Sequence, residues 1–412
     1  MNPPDYMALK HHYYLSADYV LLPEGLVEGA ILKIDDQGSI AGVYSQEHAE
    51  KYPARHYNGL LCPGFINAHT HIELSALRNL VPEGAGMARF GRAVVEQRKE
   101  LGFMERKNAQ LEAVQEAWRE GVVGWGDVAN TDEAISAKKL FHGQASHTFV
   151  EVLSADANKA DAAYQQGEEL LLHHRSRKLN ASLAPHAVYS VSRELFNYLY
   201  AVPEKAPLSI HFLESNDELE LFERGSGPLA DLLQRWELPL PSPDETLWDR
   251  LMPPEGQQPK CLFVHLTEAV LTDLQAIGKL FDAWYCLCPR SNWQIHRALP
   301  ELNLFTAHPQ RLLFGTDSRA SAPDLNVLNE YLYLYSRGEY EDFVGFLQAV
   351  TRNAADFFGW EAYGRLSSGK QPGIVLIEGL EHDSENRLQP APQCSSRLLI
   401  SPAGQLDVEE VW

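Results

Sequence analysis

The 412-residue chain lacks several features that mark other classes of protein. It has five cysteines, an odd count without paired Cys-x-x-Cys motifs, so we expect reduced thiols rather than disulfides. It contains no run of about 18 apolar residues, and its start, MNPPDYMALKHHYY, does not have the pattern of a signal peptide. These absences predict a cytoplasmic chain.

Positive charge is also scarce. The chain has 35 Lys and Arg against 56 Asp and Glu, a net charge of -21 at pH 7, and no Lys/Arg-rich run. Such a balance opposes nonspecific attraction to phosphate backbones or anionic membranes. We therefore expect a small-molecule substrate and neither nucleic acid nor membrane as a partner; a homodimer is compatible with this composition.

The middle of the chain alternates between two kinds of segment. Most intervals between its short apolar runs hold segments with helical spacing, such as ERKNAQLEAVQEAWREG. Strand and helix alternating eight times predict an α/β fold, a distorted (β/α)8 TIM barrel, for which the length is sufficient. The eight runs are LLCPGFINAHTH, GVVGWGDVAN, SHTFVEVLS, NASLAPHAVYS, APLSIHFLES, PKCLFVHLTE, AWYCLCPRSN and QRLLFGTDS.

The two ends of the chain have a different pattern. YYLSADYVLL and GAILKIDDQGSIAGVYS near the start, and GIVLIEGL and SSRLLISPAGQLDVEEVW near the end, are typical of short strands joined by turns. We expect residues 1–59 and 361–412 to combine into one small β-sandwich domain, with the barrel formed by residues 60–360.

Two histidines stand one residue apart in the first apolar run, GFINAHTHIELSAL. Because side chains alternate along a strand, His69 and His71 share a face and stand about 6.5 Å apart along it. An unpaired buried polar group costs roughly 1–3 kcal/mol, and a metal ion would satisfy both imidazoles at once. The alternative is a buried polar network, so the remaining ligands have to come from elsewhere in the chain.

Other ionisable side chains end several of the remaining runs. The catalytic groups of a TIM barrel lie at the C-terminal ends of its strands, so this position indicates function rather than packing. The fourth run carries His186, the fifth His211 and Glu214, the sixth His265 and the eighth Asp317.

Seven motifs together resemble the amidohydrolase superfamily, and the resemblance covers nearly the whole chain. They are PGFINAHTHIE, APHAVYSVS, IHFLES, VHLTE, CPRSN, FGTDSRAS and TRNAADFFG. The branch most similar contains cytosine deaminase, the triazine hydrolases and adenosylhomocysteine deaminase. The resemblance implies one divalent metal ion, zinc before iron or manganese, held by His69, His71, His211 and Asp317. A two-metal site would want a carboxylated lysine at the fourth strand, and LAPHAVYS has no lysine.

The resemblance also implies a reaction. The metal would lower the pKa of a bound water from roughly 15.7 toward about 7. Asp317 would accept the proton of that water, Glu214 would protonate a ring nitrogen of the substrate, and His265 would polarise the attacking oxygen or stabilise the tetrahedral intermediate. The expected activity is deamination of an aromatic amidine, the 6-amino group of a purine nucleoside-like substrate. The alternatives are a triazine-type chlorohydrolase or cyclic amidohydrolase, and a catalytically silent barrel scaffold.

The run HTHIELSAL resembles the first-strand motif of bacterial deaminases that act on 6-aminodeoxyfutalosine in a menaquinone route. This implies that Glu73 contacts sugar hydroxyls or orders the loop that does, and that His186 contacts the substrate. Arg89, with Arg78 and Arg92, would meet the substrate's carboxylate, since the arginine fork matches that group. Alternatively, Glu73 pairs with an arginine and the three arginines are solvated. Adenosine and adenosylhomocysteine remain alternative substrates.

Overall fold

The computed structural model describes residues 12–202 and 206–405. Its strands fall into a sheet built from both ends of the chain and a set of parallel strands between them. They are β1 His12–Leu22, β2 Gly25–Glu28, β3 Ile31–Asp35, β4 Ile40–Tyr44, β5 Arg55–Pro63, β6 Phe65–Thr70, β7 Val122–Ala129, β8 Ala145–Val152, β9 Asn180–Pro185, β10 Leu208–Phe212, β11 Lys260–His265, β12 Asp282–Leu287, β13 Leu312–Phe314, β14 Ile374–His382 and β15 Leu388–Ile400.

Helices connect most of the parallel strands, and a 3-10 helix, Ile72–Leu77, follows β6. None of the helices within the described ranges is long and apolar enough to cross a membrane. The α-helices are α1 Met87–Glu100, α2 Phe103–Arg119, α3 Ala160–Ser176, α4 Arg193–Tyr200, α5 Asn216–Arg224, α6 Pro228–Arg235, α7 Leu247–Leu251, α8 Leu271–Leu280, α9 Pro289–His296, α10 Leu328–Tyr335, α11 Phe343–Gln348 and α12 Ala354–Phe358, with a π-helical turn, Ala349–Asn353, between the last two.

The parallel strands form the predicted barrel as two half-sheets. Strands β6 to β9 pair in order, as do β10 to β13. Isolated bridges join the halves, one between Ala187 and His211 and one between Thr70 and Asp317. All eight predicted strands are present, so the TIM barrel is confirmed. The barrel is distorted at its two seams, where these isolated bridges join the half-sheets. Each bridge includes a residue predicted to bind metal, His211 or Asp317.

Buried side chains separate the inside of the barrel from its outside. Leu262, Val264 and Cys286 belong to a cluster that draws on seven of the eight parallel strands and α12. Alternate residues such as Phe263 pack outward in the large core that includes residues of α2, α3 and α4. Strands that are buried on both faces have nearly continuous apolar sequence, which is why the eight runs stand out. The five cysteines are unpaired, four of them buried, as predicted.

The strands from the two ends of the chain form one sheet in the order β15-β14-β5-β1-β3-β4, with β2 paired to β1. One face buries a core of its own that includes Leu61 and Leu376, while the neighbouring Leu60 and Val375 pack into the barrel's outer core. The period of two in a strand explains this division. The sheet is thus separate from the barrel yet fixed to its first strand, because β5 leads directly into β6. The predicted domain junction at 59 and 60 lies inside β5.

Candidate active site and metal centre

Three histidines and an aspartate converge where the ends of β6, β10 and β13 meet. One ring nitrogen from each of His69, His71 and His211 lies within 4.8 Å of the others. The Nε2 atoms of His71 and His211 are 3.2 Å apart. Asp317 Oδ1 lies 3.5 Å from His71 Nε2 and 3.8 Å from His69 Nε2. The structure therefore brings together the four side chains that the sequence predicts as metal ligands.

The ends of β6 and β13 approach closely because of a glycine. A Cβ atom on Gly315 would lie 2.6 Å from the backbone oxygen of His69, closer than side chains tolerate. The amides of Thr316 and Asp317 both donate to that oxygen at 3.1 Å. Asp317 itself has a φ of 58°, a left-handed conformation that few non-glycine residues adopt. This local geometry explains the GTD sequence at the end of the eighth strand.

Neighbouring groups orient the four side chains. Nδ1 of His211 donates to the backbone oxygen of His186 at 2.8 Å, which leaves Nε2 with its lone pair toward the cluster. Oδ2 of Asp317 accepts hydrogen bonds from the hydroxyls of Ser291 at 2.7 Å and Ser321 at 2.6 Å. The other oxygen, Oδ1, is thereby directed at the histidines. Such outer contacts are typical of metal sites.

The residues present fit a divalent metal ion. Both ring nitrogens of His69 are buried and have no hydrogen-bond partner among the described residues. Burial, and then the nearby His211, His71 and His265, hold the pKa of His69 well below its ordinary value, so the ring is neutral as a ligand requires. Two nitrogens bound tetrahedrally to zinc at roughly 2.0–2.1 Å lie about 3.3 Å apart, close to the observed spacing of His71 and His211. Three imidazoles and a carboxylate suit zinc.

Glu214 lies just beyond β10, between two further imidazoles. Its Oε2 is 3.5 Å from Nε2 of His265, and its Oε1 is 3.4 Å from Nε2 of His296. Burial raises the pKa of Glu214, but these two rings and His211 outweigh it and lower the pKa to about 2. Glu214 is therefore a carboxylate that must take up a proton before it can donate one. His296 was not predicted, since it lies on α9 with no local motif.

The ring of His265 enters the site because its backbone leaves the strand. On a regular strand His265 would follow Phe263 and face the helices. Its φ of 75° ends the strand instead, and its ring centroid lies 5.4 Å from that of His211. Burial lowers the pKa of His265, so the ring is neutral near pH 7.

Glu218 lies behind Glu214 and supports its backbone. Oε1 of Glu218 accepts a hydrogen bond from the amide of Glu214 at 2.8 Å, beside Leu213, whose φ is 47°. Burial, followed by the charge of Glu214, raises the pKa of Glu218 to about 8, so this carboxyl carries a proton at neutral pH. The sequence analysis did not predict a role for it, although its position four residues after Glu214 was the available signal.

His186 and an unpredicted carboxylate lie beside His211. The His186 ring is half-buried, with Nδ1 2.6 Å from the hydroxyl of Ser190 and its centroid 5.0 Å from that of His211. Glu151, on β8, lies beside this pair. One carboxylate oxygen of Glu151 and one ring nitrogen each of His186 and His211 lie within 4.8 Å of one another. The strand-end rule that selected the other residues would also have found Glu151 in the run SHTFVEVLS.

Glu73 is held by partners within the chain. Its Oε1 accepts from Arg98 at 2.8 Å, and its Oε2 accepts from the backbone amide and hydroxyl of Thr131 at 3.1 Å and 2.6 Å. The side chain is buried, so contact with a sugar would have to displace these partners. The arrangement favours the alternative in which Glu73 pairs with an arginine.

The three predicted carboxylate-binding arginines lie on α1 or shortly before it. Arg89 is exposed on α1, and Arg78 is exposed before it. Arg92 pairs with Glu96 at 3.5 Å, with 42% of its side chain exposed. Substrate binding by Arg89 therefore stays a prediction.

A barrel that carries three imidazoles and a carboxylate at the C-terminal ends of its strands defines the class of metal-dependent barrel enzymes. Residues 60–397 match the model of the amidohydrolase family. The chain therefore belongs to the amidohydrolase family, as its motifs predicted, and is a hydrolase of carbon–nitrogen bonds other than peptide bonds.

Several known proteins similar to this chain are deaminases. An aminodeoxyfutalosine deaminase of Deinococcus radiodurans is 26% identical over 329 residues, 74% of this chain and 75% of the relative. A 5-methylthioadenosine/S-adenosylhomocysteine deaminase of Teredinibacter turnerae is 26% identical over 372 residues, 86% and 78% of the two chains. The crystal structure of Helicobacter pylori aminofutalosine deaminase with methylthio-coformycin has a TM-score of 0.74 at 23% identity, covering 91% of this chain and 94% of that one.

Proposed function

We propose that the protein deaminates an aromatic amidine, the 6-amino group of a purine nucleoside-like substrate, and releases ammonia. The observation that carries this proposal is Glu214, buried beside the predicted metal ligands and between the imidazoles of His265 and His296. A carboxyl group in this position can protonate a ring nitrogen, which makes the adjacent carbon electrophilic enough for attack by hydroxide.

The chain's own residues supply the remaining steps. His69, His71, His211 and Asp317 would hold a divalent ion, zinc by preference, which would make a bound water acidic near neutral pH. Asp317 accepts the proton of the attacking water, and the hydrogen bonds that two serines donate to its Oδ2 hold the carboxylate in place. Glu214, ionised at rest, takes up a proton and gives it to the ring nitrogen.

The neutral ring of His265 stabilises the oxygen that adds to the substrate. When the bond between carbon and the amino group breaks, the proton held by Asp317 passes to the leaving nitrogen, the hydroxyl proton returns to Glu214 as the carbonyl forms, and ammonia is released. These steps use a neutral His265, the state that its surroundings favour, and a Glu214 that is ionised at rest and becomes protonated before it donates.

For the substrate itself we propose 6-aminodeoxyfutalosine. The similarity to the aminodeoxyfutalosine deaminase of Deinococcus radiodurans supports it, while the similarity to the Teredinibacter turnerae enzyme keeps adenosylhomocysteine as a competitor, beside adenosine. The HTHIELSAL motif adds support, because its Glu73 orders the loop after the first barrel strand.

Ammonia release by the metal-replete protein tests the proposal. The panel consists of 6-aminodeoxyfutalosine, adenosylhomocysteine, adenosine, adenine, guanine, cytosine and triazines, with halide and alkylamine release measured alongside ammonia. We expect release from purine nucleosides, with kcat/KM highest for 6-aminodeoxyfutalosine. Release of only halide or alkylamine would instead establish a triazine hydrolase, and a metal-loaded protein inactive on every compound would be a scaffold. A preference of about tenfold for adenosine or adenosylhomocysteine would reject 6-aminodeoxyfutalosine alone.

A further inference from the structure

Glu151 presents an unused hydrogen-bond acceptor beside the predicted metal cluster. Its Oε2 accepts from the amide of Asn130 at 2.9 Å. Its Oε1 is buried and has no hydrogen-bond partner within the described part of the chain, and only 5% of the side chain is exposed. Buried carboxylate oxygens are seldom left unpaired, because losing water without a replacement partner is costly. The arrangement therefore points to a ligand group as the missing partner.

The adjacent imidazole of His211 does not fill this role. Glu151 Oε1 lies 3.7 Å from Nδ1 of His211, beyond hydrogen-bond distance. That nitrogen already donates to the backbone oxygen of His186 at 2.8 Å. Glu151 thus lies next to the cluster without being bonded to it.

The contrast with Glu73 sharpens the assignment. Glu73 has both oxygens bound by Arg98 and Thr131, so it offers nothing to a substrate without rearrangement. Glu151 forms no ion pair with a lysine or arginine among the residues the structure describes, and its free oxygen shares a small space with His186. A group that fits there donates a hydrogen bond, whereas an anion would be repelled.

The geometry points to Glu151, assisted by His186, as a subsite that binds a sugar hydroxyl of the substrate next to the reacting ring. This inference rests on the proposed nucleoside deaminase function. The hydroxyl donates to Glu151 Oε1, and the imidazole of His186 offers a second polar contact. Since a site built to bond a hydroxyl discriminates strongly against ligands that lack it, the subsite selects nucleosides over free bases.

Binding of the reaction products tests this without turnover. Calorimetry on the metal-loaded protein should give a Kd for inosine at least about tenfold lower than for hypoxanthine, as a hydrogen bond to a charged group implies. Glu151→Gln should remove most of this preference and leave hypoxanthine binding unchanged. Glu169→Gln, which removes the same charge from an exposed position on α3, should match the wild type.

A ligand-side test keeps the inference open to refutation if Glu151→Gln folds poorly. With the wild-type protein, either 2′-deoxyinosine or 3′-deoxyinosine should bind about tenfold more weakly than inosine, identifying the hydroxyl concerned. Equal affinity for inosine, both deoxy forms and hypoxanthine would overturn the subsite, as would a Glu151→Gln variant that loses affinity equally for inosine and hypoxanthine.

Metal analysis and ammonia release separate the other outcomes. A second equivalent of metal in the wild type that is lost in Glu151→Gln would make this a cation site instead. Ammonia release from adenine and adenosine with equal kcat/KM would overturn the subsite but leave the deaminase intact. No release from any purine would overturn the proposed function, and the subsite with it.

Discussion

Glu214 and His265 face each other across the ends of β10 and β11, with Oε2 and Nε2 3.5 Å apart and the side chains 5% and 1% exposed. One is an ionised carboxylate and the other a neutral imidazole, although both are buried. Both side chains are buried and close together, so in the proposed reaction a proton can pass between this pair and the substrate. In the proposed reaction, the pair would link attack on the ring to protonation of its nitrogen.

Replacing Glu214 with Gln should abolish proton delivery while preserving the site. The amide keeps the size and hydrogen-bonding capacity of the side chain but carries no transferable proton. We expect kcat to fall by about 100-fold or more with metal content unchanged, in the range typical of general acid–base catalysis. Steady-state ammonia release and metal analysis on the same sample would check this. Loss of metal in parallel with activity would make Glu214 a ligand or structural residue.

His211→Ala should lose both metal and activity, because it removes a nitrogen directed at the cluster. Metal-replete expression should leave less than about 0.2 metal ions per chain, against about one in the wild type. Metal binding to the folded state should also raise its stability, so chelation should lower the Tm of the wild type more than that of the variant. His308→Ala, which removes an exposed histidine, serves as the control. Full metal occupancy in His211→Ala would rule out the proposed centre.

Glu218→Gln should change how stability depends on pH. The pKa of about 8 in the folded state exceeds the ordinary value of 4.5, so the folded protein holds a proton that the unfolded chain releases between these values. Wild-type stability from this group is complete below about pH 4.5 and is lost as pH rises toward 8. Gln stays neutral, so the variant should gain about 2 kcal/mol or more relative to the wild type between pH 5 and 8. Urea unfolding at four pH values would measure this, and parallel curves would contradict it.

His147→Gln should act in the opposite pH range. Burial, then the charges of Arg175 and Lys138, lowers the pKa of His147 to about 3. The unfolded chain therefore binds a proton below about pH 6.5 that the folded protein does not, and stability falls as pH decreases from 6.5 toward 3. Gln can keep the bond to the Ser182 hydroxyl, present at 2.8 Å, without titrating. With chelator present, the variant should lose stability more gradually, by roughly 1.4 kcal/mol less per pH unit. His308→Gln should follow the wild type.

The sequence predicted those features that depend on local pattern. Each barrel strand is short, apolar and followed by polar residues, so all eight could be recognised before their partners were known. His69 and His71 stood out because two imidazoles on one face of a buried strand require a common partner. The rule that function gathers at strand ends then selected the side chains that the structure brings together.

The remaining features depend on contacts between distant segments. Glu73 lies next to the histidine motif, yet its partner Arg98 stands 25 residues later on α1, and sequence alone left both of its roles open. The link from Ser291 to Asp317 spans 26 residues and depends on how α9 meets the end of β13. The ring of His265 faces the site because the residue has a positive φ, which no local sequence pattern predicts.

A bound metal would also stabilise the barrel at the two seams between its half-sheets. His69 and His71 come from one half-sheet and its following residue, whereas His211 and Asp317 belong to the other half, and the backbone bridges between the halves are isolated ones. An ion bound by all four side chains would link the two half-sheets to each other. Chelation should therefore speed hydrogen exchange first at the amides of His211 and Asp317, which close the two seams, and later in the middle of each half-sheet. Metal binding and stabilisation of the contacts between the half-sheets would then be coupled.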